Sequence, residues 1–198
     1  MAATIDGAAA TQFKATLARY ICASATSGTL TTNGTFAGTS TGNLNLYHLR
    51  QLRNQLKKWN VKPFDDGSYA CIASVAAIDG IQSDTSTGAW IDANRYAGSK
   101  RLFTGEVGQL MGVRFIEDTA VMSNAVGNGS AYGEAVIFGR DTVMEGVALA
   151  EQIRVDTPKD FGRDRGVCWY WLGGFKLVWD VIDVAKGWTP RIIYLGSQ

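Results

Sequence analysis

LFTGEVGQLMGVRFIED, residues 102–118, is the stretch from which this 198-residue chain is best read. Gly105, Gly108 and Gly112 punctuate it, each marking a place where the backbone needs a positive φ or a close approach. Val113, Arg114, Phe115, Ile116 and Glu117 then alternate in character with period two. A glycine-rich turn followed by such alternation predicts a turn feeding a half-buried strand. The first glycine pair does not make a phosphate loop, because no Gly-Lys-Ser/Thr follows it.

Toward the C-terminus, residues 122–132 read as a Gly/Asn/Ser loop and residues 134–140 as a strand. Residues 141–154 give a mixed pattern with a strand end at Val155, and residues 158–166 a charged turn. Trp169, Trp171, Phe175, Leu177, Trp179 and Val181 alternate strictly, which predicts a long, central, buried strand with a bulge or crossing at Gly173–Gly174. A last strand is expected over residues 188–195.

Toward the N-terminus, residues 84–96 suggest a short capped helix with Trp90, Ile91 and Tyr96 inward, and residues 68–75 a buried strand. Asp65 and Asp66 lie in a turn, where Asx hydrogen bonding rather than acid/base pairing is the expectation. Residues 43–60 form the clearest helix. Leu49, Leu52, Leu56 and Trp59 make one stripe, Thr41 or Asn43 is the cap, and Lys57 and Lys58 suit the C-terminal dipole. Arg50, Arg53 and Lys57 form a second, basic stripe, by default a solvated face. Residues 24–43 are a Ser/Thr/Gly loop in which Asn33-Gly34, between Leu30 and Phe36, signals a type I′ hairpin. Residues 11–23 place Phe13, Leu17, Tyr20 and Ile21 at helical spacing, predicting a short amphipathic helix.

Several function classes are disfavoured by composition. Residues 1–62 carry seven basic side chains and one acid, the remainder twelve and seventeen, so the parts are +6 and −5. Either the basic part meets a polyanion or it meets the acidic part of another copy. Cys22, Cys71 and Cys168 are far apart, and His48 is the single histidine, which argues against a zinc site and for three buried free thiols. The start MAATIDGAAA reads as no secretory signal, and residues 167–184 contain Lys176, Asp180 and Asp183, so no membrane span is expected.

The order of these pieces resembles the major capsid family of tailed phages typified by the podovirus N-four, which has the HK97-like fold. The residues that carry the likeness are the loop 24–42, the helix 43–60, the strand 69–75, the glycine stretch 105–117, the strand 134–139 ending in Phe-Gly, and Gly174–Lys176. The resemblance implies an α+β subunit in discontinuous parts. Residues 1–42 would be an N-terminal arm and E-loop-like hairpin, 43–75 with 155–198 a peripheral lobe, and 76–154 an axial lobe. It further implies a non-enzymatic shell protein, without cofactor or metal, that forms pentamers and hexamers with itself. The shell would assemble in the host cytoplasm into a virion enclosing double-stranded DNA non-specifically, with scaffold, portal or decoration proteins as further partners and no membrane.

On that resemblance Gly105, Glu106, Gly108, Gly112, Arg114 and Glu117 form an assembly or structural motif. Arg50, Arg53 and Lys57 face DNA or a neighbouring subunit, and Leu30, Asn33, Gly34 and Phe36 belong to an inter-subunit loop. The nearest rival is an encapsulin-like cellular nanocompartment shell, since fold alone does not set cargo. The second is a β-rich carbohydrate-binding or glycoside-processing domain using its six tryptophans, or two of Glu106, Glu117 and Glu134.

Overall fold

The computed structural model describes residues 12–88, 108–118, 133–156, 163, 165–178, 183 and 188–198. Its strands are β1 (Arg19–Ser24), β2 (Ser27–Thr31), β3 (Tyr69–Ala73), β4 (Gln109–Leu110), β5 (Val113–Glu117), β6 (Gly133–Phe138), β7 (Val143–Val155), β8 (Val167–Leu177) and β9 (Ile192–Ser197). Two helices, α1 (Leu46–Lys58) and α2 (Val75–Gln82), accompany them.

Seven strands form one mixed sheet in the order β2-β1-β9-β6-β3-β5-β4. The β1–β9 and β3–β5 pairs are parallel and the others antiparallel. Both helices cover one face. Leu49, Leu52 and Leu56 of α1 and Ala77, Ile78 and Ile81 of α2 share a core with alternate residues of β3, β6 and β9, among them Tyr69, Ile137 and Leu195. On the other face Val136, Ile192 and Tyr194 are covered by Phe13, Phe36 and the ribbon-root residues Val143 and Leu177. Central strands covered on both sides lose the alternating pattern: β6 and β9 are buried almost throughout.

Helix α1 has the leucine stripe, but its cap is Asn45, whose side chain accepts from the His48 amide at 3.2 Å. Asp84 adds a carboxylate at the same end, accepting from the Leu46 amide at 2.9 Å, where the helix dipole favours negative charge. At the other end Asn60 takes φ 54°, and the Val61 and Asn60 amides return to the Leu56 and Lys57 carbonyls. That is a Schellman stop with asparagine in the left-handed position.

Several expectations are corrected. Residues 19–24 are the strand β1 rather than the end of a helix, and helical geometry is confined to residues 12–14 of that segment. The β1–β2 hairpin turns at Ala25-Thr26, with Ser24 opposite Ser27, not at Asn33-Gly34. The strand expected over residues 68–75 ends at Ala73, and Val75 begins α2. Residues 84–88 are not helical, and the rest of the helix expected over 84–96 lies outside the described residues.

Segments expected in different lobes meet in one sheet. β3, assigned to a peripheral lobe, pairs on both sides with β5 and β6, assigned to an axial one. The helix α1 likewise shares its core with α2, β5 and β6.

β7 and β8 stand apart as a two-stranded antiparallel ribbon. β8 was expected to be central and buried; instead Val167, Tyr170 and Leu172 are exposed, and so is Cys168. β8 runs unbroken through Gly173–Gly174, and the register irregularities fall in β7 between Val147 and Gln152.

Candidate functional site

The glycine stretch resolves into a two-residue hairpin. Leu110 pairs with Val113, and the turn residues Met111 and Gly112 have φ 53° and 76°, both in the left-handed region that a type I′ turn requires. Gly108 lies there as well, at 62°. A Cβ on Gly112 would meet nothing within 4 Å, so its conformation requires glycine while close approach does not. Gly105 and Glu106 lie outside the described residues. The strand that follows is half-buried as expected, with Val113 inward and Arg114, Ile116 and Glu117 exposed.

The turn is held by the basic stripe. Arg53 of α1 donates from Nη1 to the Met111 carbonyl at 2.8 Å. Two features that look independent in the sequence, the glycine turn and the basic helix face, thus share a hydrogen bond. Arg50 and Lys57 remain exposed while Arg53 is half-buried, so the free part of the stripe is Arg50 and Lys57, with Lys58 beside them.

Arg114 sits 3.3 Å from an Asp66 carboxylate oxygen, its guanidinium 5.6 Å from the Phe64 ring centre. The neighbouring Asp65 pairs with Arg140 at 2.6 Å. Asp66 accepts from the Ser68 hydroxyl and amide, an Asx turn, and those bonds hold its carboxyl below the usual carboxylate range.

The loop expected to reach a neighbour is fastened to this chain. Phe36 packs against Tyr194 with ring centres 5.2 Å apart, and Leu30 packs against the main core. Asn33 accepts from the Thr35 amide and hydroxyl, and the Gly34 amide donates to the Leu17 carbonyl at 2.9 Å. Arg19 lies over both Tyr194 and Phe36, its guanidinium carbon 4.6 and 5.4 Å from the ring centres. These contacts anchor the far end of the loop to the sheet face opposite the helices.

Two of the groups an enzyme could use, His48 and Glu134, are held in structural contacts. His48 is fully buried between the Tyr20 hydroxyl, 2.9 Å from Nδ1, and the Ser24 carbonyl, 2.8 Å from Nε2. A carbonyl only accepts, so Nε2 carries the proton and Nδ1 accepts from Tyr20. Burial holds the imidazole below its ordinary pKa, the bond to Ser24 offsetting this in part. Glu134, a candidate glycosidase acid, is buried and paired with Lys14 at 2.8 Å, while Glu117 is an exposed strand-end acid. Among the described residues no three His, Cys, Asp or Glu side chains cluster as metal ligands, and no helix is long and apolar enough to cross a membrane.

Two structural features escaped the sequence reading. The Lys14–Glu134 pair joins residues 120 apart, and no local pattern announces such a contact. Helix α2 did leave a signal, Ser74 ahead of Ala77, Ile78 and Ile81 at helical spacing, but Gly80 inside it obscured the pattern. Gly80 is there because a Cβ would come within 3.0 Å of the Leu44 carbonyl oxygen, where the segment leading into α1 crosses the helix.

No family model and no curated protein matches the sequence. Solved structures do match the fold. The chain superposes over its whole length on a chain from the acid-stable capsid of Helicobacter pylori bacteriophage KHP30, with TM-score 0.59 and 13% identity, spanning 67% of that chain. Over 79% of its length it matches the head structure of Helicobacter pylori bacteriophage KHP40, with TM-score 0.59 and 14% identity, spanning 59% of that chain. Over 94% it matches a chain of Mycobacterium phage Che8, with TM-score 0.58 and 12% identity, spanning 55% of that chain. The sheet-dominated α+β fold is therefore that of phage capsid chains, and this chain spans about half to two thirds of their length.

Proposed function

We propose that the chain is a structural capsid protein of a tailed phage, which self-assembles into an icosahedral shell in the host cytoplasm and encloses double-stranded DNA. The observation that carries this is the fold likeness to capsid chains across 94–100% of the chain. On this reading the protein catalyses nothing, and its HK97-like details belong to the proposal together with its partners. The glycine hairpin is a rigid assembly motif in which Gly112 sets the turn, Gly108 the entry to it, and Arg114 and Glu117 face outward. Arg50 and Lys57 face packaged DNA. The loop 24–42 contributes its exposed side to a subunit contact while Leu30 and Phe36 anchor it.

Electron microscopy of the purified protein tests the shell directly. Closed particles are expected; a dilute monomer that turns over a small substrate would sink the reading. Replacing Arg50 and Lys57 by Glu separates the two roles of the basic face. Shells that still form but retain less DNA, with a shallower salt dependence, mark phosphate contacts. Failure of empty shells marks an inter-subunit surface, and shells without nucleic acid from the natural source favour the nanocompartment alternative.

A further inference from the structure

Asn33-Gly34 does not form the β1–β2 turn, and the pair lies instead in a loop docked beside the start of β1. An asparagine followed by glycine carries a latent reaction of its own, one reason asparagine is a thermolabile residue. The glycine amide nitrogen, deprotonated by base, attacks the asparagine Cγ; the carboxamide nitrogen leaves as ammonia and a cyclic succinimide closes. Water opens the ring at either carbonyl, giving aspartate or isoaspartate. Glycine leaves the attacking nitrogen unhindered because it has no Cβ.

In the docked loop both reacting groups are engaged. The Gly34 amide, the nucleophile, donates to the Leu17 carbonyl at 2.9 Å. The Asn33 side-chain oxygen accepts from the Thr35 amide at 3.1 Å and from the Thr35 hydroxyl at 2.8 Å, which turns the carboxamide toward Thr35. Around them the Gly34 carbonyl accepts from Arg19 Nε at 3.3 Å, the Thr31 hydroxyl donates to the Thr35 carbonyl, and Phe36 packs on Tyr194. An amide whose hydrogen is held by a carbonyl resists deprotonation, and a carboxamide held in an Asx turn does not swing onto it. Asn33 itself is exposed, so water and hydroxide reach it as soon as these bonds open.

We propose that Asn33 is a modification site gated by the docking of its loop, closed to deamidation while the Gly34 amide sits on Leu17 and open once the loop leaves the sheet. The reaction consumes only water and releases only ammonia. It concerns a single chain, so it stands apart from the shell reading. The isoaspartate product places an extra methylene in the main chain between Cα of residue 33 and the Gly34 nitrogen. Thr31 and Phe36 fix the segment on either side, so the lengthened chain no longer brings the Gly34 amide to the Leu17 carbonyl. Release of the loop thereby becomes one-way.

The test incubates the full chain in mildly alkaline buffer and follows Asn33 by peptide mass spectrometry, as the mass gained when NH2 becomes OH. The same chain in urea sets the open rate. In the folded chain Asn33 should react at least about tenfold more slowly than in urea. Hydrogen exchange at the Gly34 amide reads the same opening without any substitution, and its protection should match the slowing of deamidation within about threefold. Phe36→Ala, which loosens the loop and leaves the reacting pair intact, should raise the folded rate about tenfold and lower Gly34 protection with it. Equal Asn33 rates in the folded and urea-unfolded chain overturn the proposal. So does a rate unmoved by Phe36→Ala when Gly34 protection falls, or a Gly34 amide that exchanges unprotected in the wild-type chain. After ageing in urea and refolding, the aspartate form should regain Gly34 protection and the isoaspartate form should not; equal protection in both removes the one-way step.

Discussion

The seven-stranded sheet and the two-stranded ribbon are built from similar residues and have opposite surroundings. In β9 every residue is buried, because the helices cover one face and Phe13, Phe36 and the ribbon root cover the other. In β8 the same kind of apolar and aromatic side chains alternate between half-buried and exposed, because among the described residues no layer lies over them. The contrast teaches that hydrophobicity records the need for a covering layer without saying which molecule supplies it.

Core truncation should separate the two regions most. Ile137→Ala, in a central strand at 0% exposure, should cost about 2–5 kcal/mol in denaturant unfolding. Ile153→Ala, at 72% exposure in the ribbon, should change the unassembled chain by less than about 0.5 kcal/mol. Similar costs at both positions would break the distinction.

Glycine replacement sharpens it. Gly112→Val forces a β-branched residue to φ 76° and should cost about 1–2 kcal/mol or more, seen as a lower urea midpoint. Gly174→Ala in the ribbon, where a Cβ meets nothing within 4 Å, should be neutral or stabilising by up to about 1 kcal/mol.

Mild acid should act through the sheet unit. His48 has a folded pKa below its ordinary 6.5, so the unfolded chain binds the extra proton as pH falls. The stability it contributes is full above the ordinary value and declines as pH drops below it toward the folded pKa. Urea midpoints should fall over that window, and His48→Asn should flatten this part of the profile.

The smallest perturbation is a thiol count. Burial pushes Cys22 and Cys71 up to about 12, while Cys168 is exposed in the ribbon. Ellman's reagent should titrate one thiol in the folded, unassembled chain and three after unfolding.

What was legible in the sequence follows from where the deciding interactions lie. Helix α1 could be read because its leucine stripe and terminal lysines are local, and β5 because one of its faces is wet. β1 was misread because Tyr20, Ile21 and Cys22 are all buried, which removes the period that marks a strand. Its state is set by pairing with β9, about 175 residues away in register. Asn33-Gly34 carries turn chemistry, but tertiary docking of Gly34 on Leu17 uses it, leaving the hairpin to Ala25-Thr26. At the candidate site, positive φ at Gly108 and Gly112 was foreseeable from residue type. The Arg53–Met111 bond was not, since 58 residues separate its partners.

The place of β9 has a consequence for how the protein is made. It is the last described strand in the chain, yet it lies between β1 and β6, joining β2-β1 to β6-β3-β5-β4. Until Ile192–Ser197 has been synthesised, those two halves have no strand to bridge them, whatever local structure they have gained. Closure waits for those residues and for a pairing of high sequence separation, which makes it slow. A chain that stops before Ile192 lacks the bridge and leaves the sheet in two pieces.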